Sequence, residues 1–144
     1  MDTKYESDVV AWAREQAALL RSGCFDKLDL MHIAEEIESV GKSEQRELAR
    51  RLSVLLMHLL KWEFQPHKRT KSWELTIRNQ RVAIGKRLKR TPSLAPLLRD
   101  AEWLEDVWSD ALDLASHETA IPLEALPEQC PWDIPSAISL DWMP

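Results

Sequence analysis

The leucines between residues 48 and 60 constrain this fold more than any other feature of the sequence. They recur three or four residues apart, the spacing that places side chains on one face of an α-helix. The set comprises Leu48, Leu52, Leu55, Leu56, Leu59 and Leu60. In the second half of the segment, apolar residues surround much of the helix circumference, so this helix should lie centrally. The pattern predicts a helix over 43–64 that ends before Pro66.

Four further helices follow from the same spacing and from helix start and stop residues. The predicted ranges are 5–22, closed by Gly23; 29–41, capped by Asp29 and ending at Gly41; 72–90; and 93–119. No alternating strand pattern is present. The sequence therefore predicts a single all-α domain, a compact bundle of about five helices.

The C-terminal segment 122–144 contains five prolines and cannot form a long helix. It still carries large apolar side chains, including Trp132, Ile134 and Trp142. We expect it to wrap over the bundle of residues 5–121 as a tail, with a short helix after Asp133.

The helix predicted over 93–119 has apolar residues on two sides. One stripe runs from Leu94 to Ala115, and the other consists of Trp103, Val107 and Leu114. A helix with two apolar faces needs two partners. The second partner is either the tail or another copy of the chain, so self-association through Trp103, Val107 and Leu114 is one prediction.

Charge is unevenly distributed along the chain. Residues 61–90 contain ten Lys or Arg and two acids, whereas residues 91–144 contain one Arg and eleven acids. The favoured interpretation is that the basic helix pairs with acidic helices inside the fold. The alternative is a basic surface for nucleic acid or an acidic protein, formed by Lys68, Arg69, Lys71, Lys86, Arg87, Lys89 and Arg90. A sequence pI of about 5.4 argues against the alternative.

Polar residues at the edges of the apolar stripes form a candidate cluster for binding or for structural ion pairs. Its members are Glu35, Glu36, Glu38, His58, Lys61, Trp62, Arg78 and Arg81. Buried charges need partners, so a carboxylate–arginine network between helices is the favoured interpretation. On the helix over 29–41, Asp29, His32 and Glu36 share one stripe.

A metal site is a weaker alternative for the same region. Helical bundles hold metals with His and Glu three or four residues apart on one face. His32, Glu36 and His58 are the candidates, but a second Glu-x-x-His motif is missing. We predict no cofactor, with a divalent metal as the alternative.

Location follows from three features of the sequence. The N-terminus MDTKYESDVV lacks a basic start followed by an apolar run, and no segment approaches about 20 apolar residues. Cys24 and Cys130 lack metal-ligand spacing. We expect a cytoplasmic protein without membrane contact, whose cysteines are reduced.

The chain also resembles a known bacterial family. The resemblance rests on Tyr5, Trp12, Leu20-Arg21-x-Gly23, Asp29, the run 34–38, His58-Leu-Leu-Lys61-Trp62, Trp73, Arg81, Cys130-Pro131-Trp132 and Trp142-x-Pro144. In order and spacing these residues are similar to the Domain of Unknown Function 29 family over nearly the whole chain. The resemblance implies a compact helical protein and implies no activity, cofactor or catalytic residue.

Two functions are compatible with these features. The favoured one is a non-enzymatic helical interaction module that binds protein or nucleic acid through the basic segment 61–90 or the second face of helix 93–119. The alternative is an acid–base or metal-dependent hydrolase or nuclease, with a site between the helices at 29–41, 43–64 and 72–90. No phosphate-binding loop, His-Glu-x-x-His or Gly-x-Ser-x-Gly motif is present, so no residue is assigned a catalytic role.

Overall fold

Helices and short 3-10 segments follow one another along the chain, in a computed structural model that describes residues 4–144. The α-helices are α1 (Val9–Ser22), α2 (Leu30–Phe64), α3 (Lys71–Arg90), α4 (Ala101–Thr119) and α5 (Ile134–Ala137). The 3-10 segments are Phe25–Lys27, Pro66–Lys68, Pro92–Arg99 and Leu123–Ala125. Residues 4–144 contain no strand, so the all-α prediction is confirmed. None of these helices has the length and hydropathy needed to cross a bilayer.

Capping residues set the ends of α1. The Asp8 carboxylate accepts a hydrogen bond from the Ala11 N–H at 3.0 Å, and its own backbone is extended. The helix therefore begins at Val9, later than the predicted start at Tyr5. Gly23 closes it in the left-handed conformation, with φ of 76°. This ending agrees with the prediction, because glycine adopts that conformation without a side-chain clash.

The predicted break between two helices at Gly41 is wrong, because α2 continues without interruption from Leu30 to Phe64. A glycine ends a helix when it adopts a left-handed conformation, and Gly41 does not. No proline follows it, and Lys42, Glu44 and Gln45 have side chains that favour helix. The helix therefore continues through the glycine.

The prediction of one helix over 93–119 is also wrong. Pro92–Arg99 is a 3-10 segment, and α4 begins only at Ala101. Pro96 has no N–H to donate, and its ring clashes with the carbonyl four residues earlier in an α-helix. The Asp100 carboxylate then caps α4 by accepting from the Trp103 N–H at 3.1 Å.

The chain divides into two compact units, the first ending at Glu44 and the second spanning Gln45–Pro144. In the described part of the first unit, α1 and the beginning of α2 bury the side chains of Trp12 and Gln16. This unit therefore has a very small interior.

The second unit contains the main apolar core. Its buried members are Leu48, Leu52, Leu55, Leu56, Met57, Leu59 and Leu60 from α2; Ile77 and Ile84 from α3; Leu94; and Val107, Trp108, Ala111 and Ala115 from α4. The leucine-rich segment thus lies at the centre of this unit, as its periodicity predicted.

The C-terminal tail packs onto this core, as expected. Leu126 and Ala137 are buried in it. The indole N–H of Trp108 lies 3.1 Å from the carbonyl oxygens of both Pro127 and Glu128. The short helix after Asp133 is also present as α5, capped by the Asp133 side chain.

Candidate functional site

A polar and aromatic cluster joins α1 to the start of α2 in the first unit. The Asp29 carboxylate is its centre, because Oδ2 accepts from the Trp12 indole N–H at 2.9 Å and lies 2.7 Å from His32 Nδ1. The Asp29 N–H donates to Gln16 Oε1 at 2.8 Å. These residues, with Tyr5 and Glu36, form what we call the N-terminal cluster.

Tyr5 covers the cluster from the segment before α1. Its ring stacks on the His32 imidazole at 4.2 Å between centroids and meets the Trp12 ring edge-on at 4.9 Å. Its hydroxyl donates to Glu36 Oε1 at 2.5 Å. The stripe of Asp29, His32 and Glu36 identified in the sequence therefore supplies the α2 side of this packing. A cavity of about 300 Å³ adjoins it, lined by residues that include Lys4, Glu15 and Lys27.

Charge in the cluster is organised around His32. The hydrogen bond to Asp29 raises the pKa of the imidazole, and the same hydrogen bond lowers the pKa of the Asp29 carboxyl. The other ring nitrogen, Nε2, lies 3.2 Å from Glu6 Oε1. Hydrogen bonding to Glu36 raises the pKa of Tyr5 to about 12. The imidazole thus has a carboxylate at each nitrogen, an arrangement that favours its protonated form.

We expect Asp29→Asn to lower the pKa of His32, because the variant removes the principal charge that stabilises the imidazolium. The imidazole should titrate above its ordinary 6.5 in the wild type. A raised folded-state pKa means that this contribution to stability is fully present below pH 6.5 and is lost as pH rises through the folded value. The lowered pKa of Asp29 gives the opposite dependence. Its contribution to stability is fully present above pH 3.8 and is lost as pH falls through the folded-state pKa.

NMR titration of the His32 ring protons measures this directly. Glu38→Gln is the matched control, since Glu38 is an exposed carboxylate on the same helix. An unchanged His32 midpoint in Asp29→Asn would contradict the assignment of Asp29 as the residue that sets this pKa.

Lys61 and His58 of the predicted cluster lie in the second unit. The Lys61 ammonium pairs with Glu118 on α4 at 2.8 Å and lies 4.5 Å from the centre of the Trp73 ring. His58 Nδ1 lies 2.9 Å from the carbonyl oxygen of Val54, and burial lowers the pKa of the imidazole. Lys61 therefore joins α2 to α4, while His58 bonds within its own helix.

Arg81 is buried, with 4% of its surface exposed. Its Nε donates to the Ala137 carbonyl at 2.9 Å, and Nη1 lies 3.9 Å from the Met143 sulfur. Burial lowers the pKa of its guanidinium group. Arg81 thus holds the tail against α3, whereas the predicted cluster member Arg78 is exposed on the same helix.

The remaining members of the predicted cluster are separated along the chain. The guanidinium of Arg69 lies over the Trp62 ring, 4.7 Å from the ring centre. Arg69 Nε also donates a hydrogen bond to the Trp62 carbonyl oxygen. Glu36 belongs to the N-terminal cluster, while Glu35 and Glu38 are exposed. Because α2 is continuous, Glu36 and His58 are 22 positions apart on one helix, with no turn between them.

The metal candidates each have other partners in the structure. His32 contacts Asp29 and Glu6, Glu36 contacts Tyr5, and His58 contacts Val54. Within residues 4–144, no group of three or more His, Cys, Asp or Glu side chains is arranged to hold a metal ion.

The predicted basic surface occupies both ends of α3. Lys68, Arg69 and Lys71 lie at its start and Lys86, Lys89 and Arg90 at its end, all exposed. Arg87 is half-buried and lies 4.0 Å from Glu47, which also pairs with Arg50 and Arg51. Basic residues in a last helical turn also interact favourably with the negative end of the helix dipole.

Several large apolar side chains are exposed on the two helices of the first unit, and we call this set the hairpin surface. Its members are Val9, Val10 and Leu20 of α1, Phe25 between the helices, and Leu30, Met31, Ile37 and Val40 of α2, each 47–72% exposed. Several of them, including Leu30, Ile37 and Val40, lie at the helical spacing that predicts the helices over 5–22 and 29–41. Their exposure could not be foreseen, because an apolar stripe looks the same whether or not something covers it.

The predicted association stripe on α4 is only partly accessible. Val107 is buried and Trp103 half-buried, whereas Leu114 is 39% exposed. Leu114 borders a groove of about 420 Å³ between α2 and α4, lined also by Arg46, Arg50, Asp110 and Asp113. The second apolar face of this helix is thus largely covered within the chain.

The family model described as "Domain of unknown function DUF29" matches residues 4–143. No curated protein and no solved structure matches the chain.

Proposed function

Because this chain belongs to the DUF29 family, a family of unknown function, we propose a function from its own surface: it is a helical interaction module that binds protein through the hairpin surface. The observation that carries this proposal is the exposure of eight large apolar side chains on a unit that buries only two side chains in its described part. We infer a bacterial protein that acts in the cytoplasm, where free thiols such as Cys24 and Cys130 are stable.

The extent of the hairpin surface supports this proposal. At roughly 100 Å² per side chain, its eight members together expose on the order of 800 Å² over more than one face of the two helices. Covering such a surface with another protein gains apolar burial that this unit lacks by itself.

The chemistry of the same unit favours a protein partner over nucleic acid. Residues 4–44 carry nine acidic and five basic side chains, which would repel a phosphate backbone. A protein that presents an apolar helix or groove has the matching chemistry.

The N-terminal cluster supports the interaction module better than an acid–base enzyme. A histidine that acts as a general base needs a free ring nitrogen near the proton that it removes. Both nitrogens of His32 already contact carboxylates, at 2.7 Å and 3.2 Å. The cluster therefore acts as the polar joint that orients α1 against α2 and so shapes the hairpin surface.

Site-specific photo-crosslinking in the native host tests the proposal. A benzophenone amino acid at Ile37 should give discrete protein adducts. The same residue at Leu75, a 52% exposed apolar position on α3, is the matched control and should give far fewer. Equal adduct patterns at both positions, or no adducts at Ile37, would show that the hairpin surface is not a specific interface.

A further inference from the structure

The guanidinium group of Arg81 has fewer acceptors around it than its five N–H groups can use. Nε donates to the Ala137 carbonyl oxygen at 2.9 Å, but Nη1 reaches only the sulfur of Met143, at 3.9 Å. Among residues 4–144, the buried Nη2 has no hydrogen-bond partner. A buried charged donor without an acceptor is costly, so this group would gain from a stronger acceptor at the same place.

Met143 contacts this group from the end of the C-terminal tail. Its thioether sulfur is a weak acceptor on a side chain with three rotatable bonds. The residue is 37% exposed, so a small oxidant in solution can reach it. The preceding residue, Trp142, is held by its edge contact with Trp132, at 6.1 Å between ring centroids. A strong buried donor therefore faces an accessible acceptor that oxidation can strengthen.

We propose that Met143 is an oxidation site at which methionine sulfoxide completes the hydrogen bonding of Arg81 and tightens the tail against α3. The oxidant is a hydroperoxide such as hydrogen peroxide. A sulfur lone pair attacks one peroxide oxygen, the O–O bond breaks and an S–O bond forms. Sulfur loses two electrons, and the second oxygen gains them and leaves as water with the proton of the transferred oxygen. Methionine sulfoxide reductases reverse the change.

The sulfoxide oxygen is a much stronger acceptor than the sulfur and remains on the same flexible side chain. Rotation of the Met143 side chain can turn this oxygen towards Nη1 or Nη2 of Arg81, where it accepts a charge-assisted hydrogen bond. Oxidation of a packed methionine usually weakens the packing, since it places a polar group among apolar ones. At Met143 the neighbour is a cation with unused donors, so oxidation should stabilise the packing of the tail.

The other two methionines of the described residues provide internal comparisons. Met57 is 4% exposed in the core of the second unit, so it should resist the oxidant. Met31 is 72% exposed on α2 and should react readily. The hydrogen bonds of Arg81 join it to the tail and not to Met31, so oxidation of Met31 should leave the tail unchanged.

Limited treatment of the full chain with hydrogen peroxide tests this site. Peptide mass spectrometry locates the added oxygen, and amide hydrogen exchange at residues 134–142 measures how firmly the tail is held. Oxidation of Met143 should slow that exchange about tenfold, the effect of one hydrogen bond to a charged group. In Met143→Leu, which keeps both cysteines, the same treatment should leave the exchange unchanged. A Met143 that does not react, or exchange that is unchanged or faster in the oxidised wild type, overturns the proposal.

Met143→Gln tests the same pairing without an oxidant, because its amide oxygen is an acceptor on a side chain of similar length. Relative to Met143→Leu, it should slow exchange at residues 134–142 about tenfold. The difference should vanish when both substitutions are made in an Arg81→Ala background. Met31→Gln is the matched control and should not affect exchange in the tail. Equal exchange in Met143→Gln and Met143→Leu, or a difference that persists in Arg81→Ala, contradicts the pairing of residue 143 with Arg81.

Discussion

Trp108→Ala should lower the free energy of unfolding by about 4 kcal/mol, the range for deleting a buried aromatic side chain. Trp108 is 4% exposed in the core of the second unit. Its ring also meets the Trp132 ring edge-on at 5.8 Å, and Trp132 meets Trp142 at 6.1 Å. The substitution therefore removes core packing and the contact that anchors the tail.

Urea denaturation followed by circular dichroism measures this loss. Trp108→Phe separates the loss of packing from the loss of the hydrogen bond. The phenylalanine keeps most of the packing but leaves the carbonyls of Pro127 and Glu128 without the indole N–H. We expect that variant to lose about 1–2 kcal/mol. Ser109→Ala, at the exposed neighbouring position, should change stability by less than about 0.5 kcal/mol. A loss below about 1 kcal/mol in Trp108→Ala would show that the tail is held by other contacts.

Arg81→Ala should lower the free energy of unfolding by about 3 kcal/mol, since it removes a long buried side chain and its bond to Ala137. Among residues 4–144 the buried guanidinium Nη2 has no hydrogen-bond partner, so part of the loss should be offset by removing an incompletely paired buried charge. The remaining loss should destabilise mainly the packing of the C-terminal tail against α3. Amide hydrogen exchange at residues 134–142 should therefore accelerate in the variant.

Arg78→Ala is the matched control for Arg81. It removes the same side chain from an exposed position on the same helix, and we expect a change within about 0.5 kcal/mol. If the two variants lost equal stability, or if exchange in the tail were unchanged in Arg81→Ala, Arg81 would not be the residue that holds α5 against α3.

The helix ends show which local features can be predicted from sequence. Gly23 and Phe64 were predicted as ends because capping and proline act on neighbouring residues. The uninterrupted α2 was not predicted, since a glycine stops a helix only when the chain turns there, and its neighbours favoured continuation. Pro96 indicates that α4 begins after it, because proline disrupts the interior of an α-helix. The apolar spacing continues across Pro96, so periodicity alone predicted one helix over 93–119.

The candidate site was predictable only in part. The stripe of Asp29, His32 and Glu36 was visible from spacing, but the partners Tyr5 and Trp12 come from another segment, and spacing within one helix says nothing about its neighbour. The sequence pattern places Arg81 at the edge of an apolar stripe and predicts a carboxylate opposite it. The structure gives it the carbonyl of Ala137 instead. That partner belongs to a tail whose path the sequence does not specify.

The sequence by itself determined that the chain is helical, that the leucines from 48 to 60 form the centre of the core, and that the tail packs. Each of these follows from periodicity, capping and proline chemistry, which act over a few residues. Tertiary structure decided which apolar stripes are covered: it buried Val107 and left Leu30, Ile37 and Val40 exposed. The physical reason is that apolar side chains gain the same free energy from any apolar cover. Periodicity therefore identifies a face that needs a partner, and only the packed chain shows which face still lacks one.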